Sequence, residues 1–131
     1  MSGTGFTISA AELKKITIDQ NTVETTGNQN YLASVKLTNE TTFKSSGTII
    51  FGNTTTNAFA QNDGVAPKLI LQAPTVIYGK STIDSITTSD SLSLESDNTI
   101  NNLSVTTAGG KTLTVNGEIS VGTLSLSGTS S

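Results

Sequence analysis

Asp90, Glu95 and Asp97 form the densest group of charged side chains in the chain and are the first candidates for chemistry. Two carboxylates at a set separation perform glycoside hydrolysis, and grouped carboxylates also bind calcium. Sugar-cleaving grooves are usually lined by aromatic rings, however, and this sequence has two Tyr, four Phe and no Trp. We therefore expect a solvated corner in which Asp90 pairs with Lys111, and we expect no catalytic residue, cofactor site or metal site.

Pairs of hydroxyl residues suggest a second kind of site, a flat rank of threonines that binds ice. The rank expected from the spacing consists of Thr112/Thr114, then Ser91/Ser93, then Lys68/Ile70. The last pair breaks the rank, and Thr is in any case a common strand residue. An antifreeze function is therefore the less favoured interpretation.

The composition excludes several other kinds of site. Without Cys there are no disulfides or thiolate metal ligands, and without His the commonest general base is missing. All seven basic residues are Lys and the net charge is −3, so we expect no nucleic-acid partner. No apolar stretch approaches the roughly 18 residues needed to span a bilayer, so we expect no membrane insertion.

The elements that would position any site are short strands. Only 13% of the residues are charged, and Ser, Thr and Asn carry most of the polarity, which suits strands and tight corners. Apolar residues recur in pairs whose members are separated by a single position, the pattern of half-buried strands. These pairs are Ile16/Ile18, Val35/Leu37, Ile49/Phe51, Leu69/Leu71, Val76/Tyr78, Leu92/Leu94, Leu103/Val105, Leu113/Val115, Ile119/Val121 and Leu124/Leu126.

A longer period, of roughly 20 residues, relates these pairs to one another and lies in the range of stacked repeat proteins. The predicted equivalent positions are Leu71, Leu92 and Leu113; Leu94 and Val115; and Ile83, Val105 and Leu126. In the N-terminal half, Ile16/Ile18 is predicted to recur as Val35/Leu37, and Ile49/Phe51 as Leu69/Leu71. A unit of this size cannot bury its own apolar face and must stack on copies of itself. The spacing therefore predicts a right-handed, triangular parallel β-solenoid with three strands per coil.

We expect one solenoid domain over residues 1–131, with its best-defined coils at 68–128. Residues 1–16 are predicted to form an N-terminal cap with a short helix, because Ser9 to Glu12 matches a capping box. Residues 54–67 have no period and are predicted to form a loop. The dipeptide Asn116–Gly117 is also a strong hairpin signal, which leaves an antiparallel sandwich or meander as the alternative fold.

No cap is predicted for the C-terminal coil. An uncovered strand edge invites pairing with another chain, so we expect that this end stacks on another subunit or that a larger protein continues beyond it. The candidate contact residues are Ile119, Val121, Leu124 and Leu126, together with Phe59 in the aperiodic segment. The expected partners are further copies of the chain or other structural subunits, or a glycan or protein on a host surface.

The C-terminal third, LSVTTAGGKTLTVNGEISVGTLSLSG from Leu103, resembles repeats of autotransporter passengers and filamentous-haemagglutinin-like adhesins. It also resembles the solenoid parts of phage tail fibres and spikes. The resemblance implies an extended, non-enzymatic stalk or attachment protein and transfers no functional residue. Residues 1–6 lack the basic and apolar regions of a signal peptide, which fits a virion protein better than a secreted adhesin.

These observations together predict a subunit of a virion appendage, such as a fibre, spike or decoration protein. The alternative is a bacterial surface adhesin or filament subunit, located outside the cell or on its surface. A polysaccharide-degrading solenoid is the less favoured enzymatic alternative.

Overall fold

The computed structural model describes residues 2–3, 5–9, 15–53, 58–59, 66–107 and 111–128. The chain forms a parallel β-solenoid of about five turns, as the repeat predicted. All the pairings between strands of the described residues are parallel, so the antiparallel sandwich or meander is wrong. The low charge and frequent β-branched residues suit this arrangement, because each strand stacks between strands of similar composition above and below it.

Two sheets run the length of the stack, and we call them face A and face B. Face A contains β1 (Ser2–Gly3), β4 (Thr22–Thr25), β7 (Thr41–Ser45), β9 (Lys68–Gln72), β11 (Ser81–Thr88), β13 (Asn98–Thr107) and β15 (Ile119–Gly128). Face B contains β2 (Phe6–Ser9), β5 (Gln29–Leu32), β8 (Ile49–Phe51), β10 (Thr75–Ile77), β12 (Leu92–Leu94) and β14 (Leu113–Val115). The strands of face B define rungs 1 to 6, numbered from β2 to β14.

A third set of strands lies between face B and face A in the chain, and we call it face C. In rungs 1 and 2 it consists of β3 (Lys15–Ile18) paired with β6 (Ser34–Leu37). In rungs 4 to 6 the leading segments of β11, β13 and β15 occupy the same position, at 81–83, 98–100 and 119–121. In rung 3 the position is filled by Ala58 and Phe59, since Phe59 bridges to Val35.

The number of residues from one rung to the next varies along face B. The column of paired residues is Phe6, Gln29, Ile49, Thr75, Leu92 and Leu113, so the longest step runs from Ile49 to Thr75 and the shortest from Thr75 to Leu92. The predicted recurrence of Ile16/Ile18 as Val35/Leu37 is confirmed. So is the equivalence of Leu92 with Leu113 and of Leu94 with Val115. The equivalence of Leu71 with Leu92 is wrong, because Leu71 pairs with Thr88 and Leu92 pairs with Thr75.

Two other predicted equivalences are also wrong, because the residues pair with other partners. In the predicted set Ile83, Val105 and Leu126, the equivalence of Val105 with Leu126 is confirmed, but Ile83 pairs with Ile100 and not with Val105. Ile49 and Phe51 pair with Thr75 and Ile77 rather than with Leu69 and Leu71, which pair with Thr41 and Phe43. The segment between β8 and β9 lengthens rung 3, and the short step that follows makes rung 4 the smallest. A constant number of residues per rung therefore does not describe the chain on either side of the segment between β8 and β9.

The alternation in β10 has the opposite phase from the prediction. Thr75 and Ile77 are buried, whereas Val76 and Tyr78 lie on the outer side and are half-buried. The Thr75 hydroxyl is satisfied in the interior because it donates a hydrogen bond to the carbonyl oxygen of Ala73, at 2.9 Å. Burial of Thr75 therefore leaves no unpaired donor.

The core changes character along the stack. In rungs 2 and 3 it is aromatic: the rings of Tyr31 and Phe51 are stacked at 5.0 Å, and Phe43 meets Phe51 edge to face at 5.0 Å. In rungs 4 and 5 it is aliphatic, with fully buried Ile77, Ile83, Ile86, Leu92, Leu94, Ile100, Leu103 and Val105. Aromatic pairs of this geometry add to the stabilisation from area burial, so the aromatic rungs hold the middle of the N-terminal half together.

The predicted N-terminal cap region contains strands. Ser9 ends β2 and Lys15 begins β3, and both strands pair with rung 2. The capping-box residues between them, 10–14, lie outside the described residues, and no helix occurs in the described part of the chain.

Candidate functional site: the open end at rung 6

The acidic group lies on the corners of rung 5, where each carboxylate contacts rung 6. Oδ1 of Asp90 lies 3.0 Å from Nζ of Lys111, which confirms the predicted ion pair. Oε2 of Glu95 accepts a hydrogen bond from Nδ2 of Asn116 at 2.5 Å. Oδ1 of Asp97 accepts one from the backbone N–H of Glu118 at 2.8 Å. Each partner occupies the equivalent corner one rung further on, so the three acids join one rung to the next.

A shallow groove of about 390 Å³ crosses rungs 4 to 6 beside these acids. Its lining includes Lys80, Thr82, Asp97, Thr99, Glu118 and Ser120. The groove is polar and contains no aromatic ring, unlike the sugar-binding grooves considered above. No group of three or more acidic, His or Cys residues suited to a metal ion occurs among the described residues.

The predicted rank of hydroxyls also changes once the register is known. Ser93 pairs with Thr114 as expected, but the residue on its other side is Val76 rather than Ile70. Val76 in turn pairs with Ile50. The rank is thus interrupted after two rungs by apolar residues.

The most unusual surface is the open end at rung 6, which we define as the rung-6 residues that continue the inward columns of rung 5. They are Leu113, Val115, Ile119, Val121, Leu124 and Leu126. Their partners in rung 5 on faces A and B, such as Leu94 and Leu103, are buried, yet Val115, Leu124 and Leu126 are 38%, 52% and 59% exposed. These three are the exposed large hydrophobic residues of the described chain.

Backbone N–H and C=O groups at this end also point away from the rest of the stack. Within the stack, inward-facing residues use their N–H and C=O groups to bond to the following rung. Leu92 N–H donates to the carbonyl of Thr112, the carbonyl of Leu94 accepts from Asn116 N–H, and Asn98 N–H donates to the carbonyl of Glu118. Alternate residues of a parallel strand bond to opposite neighbours, so Leu113, Val115 and Ile119 direct their own N–H and C=O groups away from rung 5.

The open end therefore combines an apolar surface with a row of backbone donors and acceptors. Such an edge is a template for pairing with another strand. Burial of its three exposed side chains would remove apolar area from water, and pairing of its backbone would satisfy groups that otherwise require water.

Four of the five predicted contact residues belong to this surface: Ile119, Val121, Leu124 and Leu126. Phe59 does not, because it is only 1% exposed and its ring lies 5.0 Å from that of Phe51 in the core. Phe59 packs in the core of rung 3 and presents no surface to a second subunit. Leu113 and Val115 were not predicted as contacts, although their equivalence to Leu92 and Leu94 would have placed them there.

No helix in the described residues is long and apolar enough to cross a membrane. No protein-family model, no curated protein and no solved structure matches this chain. The arrangement of the open end is therefore the main basis for assigning a function.

Proposed function

We propose that this protein is a non-enzymatic structural or attachment subunit, and that it joins other subunits through the open end at rung 6. The observation that carries the proposal is the exposure of Val115, Leu124 and Leu126 on strands whose outer backbone groups have no partner strand among the described residues. The two long sheets make the molecule a stiff rod, which is the form that a stalk or spacer requires.

The setting we favour is a virion appendage, such as a fibre, spike or decoration protein. The supports are the repeat resemblance of residues 103–128 and the rod-like stack. We take the coil to be right-handed and triangular in section, as in the solenoid families that the repeats resemble. The acidic residues support a structural role, since Asp90, Glu95 and Asp97 are each engaged in contacts between rungs.

The direct test is the mass of the protein in solution, measured by light scattering over a wide range of concentration and combined with negative-stain imaging. We expect the mass to rise with concentration and the images to contain assemblies. The Leu124→Asp variant should remain monomeric, because a buried, unpaired charge opposes burial of the surface. Leu124 is 52% exposed in the single chain, so the variant should still fold.

The matched control is Ser125→Asp, which places the same charge on the adjacent, outward-facing residue of β15. Ser125 is exposed and lies on the outer side of face A, away from the open end. This variant should assemble like the unmodified chain. A chain that stays monomeric at every concentration would contradict the proposal, and so would equal loss of assembly in the two variants.

A further inference from the structure

We infer that the partner of the open end is rung 1 of a second copy, so that copies add head to tail and extend the solenoid in one direction. This inference rests on the proposed function and deepens it by naming the partner. Three independent features of the two ends carry it: the column register, the direction of the backbone hydrogen bonds and the direction of the strands.

The first feature is the register along face B. The pairings form an unbroken series from β2 to β14. Phe6 and Leu113 therefore lie in one column of paired residues, and Ile8 and Val115 lie in another. Thr7, between Phe6 and Ile8, likewise shares a column with Thr114, between Leu113 and Val115. A second copy placed on the open end would therefore set apolar residue types, Phe6 and Ile8, above Leu113 and Val115.

On face C the strands of rungs 1 and 2 form a separate two-stranded sheet, but apolar residues again lie at both ends of the described stack. Rung 6 ends there in Ile119 and Val121, which are half-buried and pack against the core. Rung 1 begins there in β3, where Ile16 and Ile18 continue the columns of the buried Val35 and Leu37. Apolar residues thus stand at both ends of two faces.

The second feature is the direction of the backbone groups. At the open end the inward-facing residues direct N–H and C=O away from the stack, as described above. In rung 1 the inward-facing Ile18 bonds towards rung 2, with its carbonyl accepting from Thr38 N–H. Because alternate residues bond to opposite neighbours, the exposed Thr7 and Thr17 direct their backbone groups away from rung 2. On faces B and C a head-to-tail junction would therefore reproduce the bonding found between rungs 5 and 6. On face A, β1 already pairs with Glu24 and Thr25 of β4, so β15 of the first copy would meet β4 only ahead of these two residues.

The third feature is strand direction. A head-to-tail junction keeps the strands parallel and sets faces B and C, and the part of face A that β1 leaves uncovered, on the same faces of the next copy. A two-fold contact between two open ends would instead make the strands antiparallel, and two of the three faces would meet an unlike face. On β15 the strand segments of faces C and A differ in length, since residues 119–121 belong to face C and residues 123–128 to face A. These two faces would therefore match each other poorly.

A head-to-tail contact uses two different surfaces of each copy and does not close on itself. Repetition of such a contact with a small rotation produces an open filament rather than a dimer. The inferred product is a filament in which each copy adds its own rungs to one continuous solenoid.

Cysteine cross-linking tests the inference cleanly because the chain contains no Cys. Thr7 and Thr114 are both exposed and face outwards, so Cys at either position should leave the core intact. At a head-to-tail junction the two positions would lie one strand spacing apart, about 4.8 Å, which is within the Cα separation of a disulfide. The protein would be oxidised mildly after assembly and analysed by non-reducing electrophoresis.

We expect Thr7→Cys alone and Thr114→Cys alone to remain uncross-linked, and an equal mixture of the two to give a dimer. The double variant Thr7→Cys, Thr114→Cys should give a ladder of dimers, trimers and longer species. Addition of Leu124→Asp to the double variant should abolish the ladder.

Dimers of Thr114→Cys alone would show contact between two open ends and overturn the head-to-tail inference, while the proposed function would stand. Assembly in solution without any cross-link would also overturn the inference, because it would place the contact elsewhere. Absence of assembly would overturn both, and the light-scattering measurement identifies that case.

Discussion

The hydroxyl of Tyr31 donates a hydrogen bond to Oε1 of Gln29 across 2.9 Å inside the core, where both residues are almost completely buried. Nε2 of Gln29 in turn donates to the carbonyl oxygen of Lys44 at 2.9 Å and to Oγ1 of Thr25 at 3.1 Å. This network joins face B of rung 2 to face A of rungs 1 and 2, and it allows an amide side chain to occupy the inward column that also contains Ile49 and Leu92.

Replacement of Tyr31 by Phe should lower the free energy of unfolding by about 1–2 kcal/mol, because Oε1 of Gln29 loses its donor while it remains buried. Urea denaturation at neutral pH measures this difference. Tyr78→Phe is the control, since Tyr78 lies half-buried on the outer side of face B. Equal losses in the two variants would contradict a special role for the buried pair.

The same residue predicts a loss of stability at alkaline pH. Burial raises the pKa of Tyr31 above its ordinary value near 10. Below about pH 10 the phenol is neutral in both states, whereas above it only the unfolded state releases the proton. Stability should therefore fall by up to about 1.4 kcal/mol per pH unit from Tyr31 alone. Tyr31→Phe lacks this contribution, so the gap between it and the unmodified protein should narrow between about pH 9 and about pH 11, and a constant gap would contradict the prediction.

Phe59→Ala should destabilise the protein by about 3–5 kcal/mol, as expected for removal of a fully buried aromatic ring. Its ring contacts Phe51, and its backbone forms a parallel bridge with Val35 of rung 2. Thermal unfolding measures the loss, with Tyr78→Ala as a large-to-small control outside the core. A change in assembly with little change in stability would restore Phe59 as a contact residue.

The ion pair between Asp90 and Lys111 should contribute little. A double-mutant cycle with Asp90→Asn and Lys111→Met should give a coupling of at most about 1 kcal/mol, reduced further at high salt. The more exposed pair Glu24–Lys44, at 3.4 Å, is the comparison and should couple more weakly. A coupling that does not respond to salt would show that the Asp90 pair is shielded from solvent.

Two serines should respond differently to the same substitution. Oγ of Ser81 is buried and has no hydrogen-bond partner among the described residues, so Ser81→Ala should be neutral or stabilise by up to about 1 kcal/mol. Ser45→Ala should destabilise by about 1 kcal/mol, because Oγ of Ser45 donates to the carbonyl of Gly27 and accepts from the N–H of Gly47. Chemical denaturation compares the two, and a clear loss in Ser81→Ala would reveal a hydrogen bond at that hydroxyl.

The fold class could be predicted because the alternation and the longer period are both direct consequences of stacked strands. The exact register could not. In the segment Thr75–Tyr78 each alternate pair contains an apolar residue, so the pattern alone does not decide which pair faces inwards. In the structure Thr75 faces inwards, and its hydroxyl donates a hydrogen bond to the carbonyl oxygen of Ala73. This local contact cannot be read from the periodicity of the sequence.

The candidate site was predictable for a related reason. Leu124 and Leu126 belong to the last repeat of the described residues, and their place in apolar columns could be inferred from the pattern. Phe59 lies in a segment without a period, and only its bridge to Val35 shows that it fills the missing strand of rung 3. Aromatic residue type alone does not distinguish a core anchor from a contact residue.

The matching register of rungs 4, 5 and 6 has a consequence for how such a chain can change in evolution. Rung 5 bonds to rung 6 through the same inward-facing residues by which rung 4 bonds to rung 5, as Thr75 N–H to Ser91 and Leu92 N–H to Thr112 show. A tandem duplication of one such unit would insert a further layer without removing an existing hydrogen bond on either side. The length of the rod is thus a quantity that recombination can alter in whole increments of about 4.8 Å.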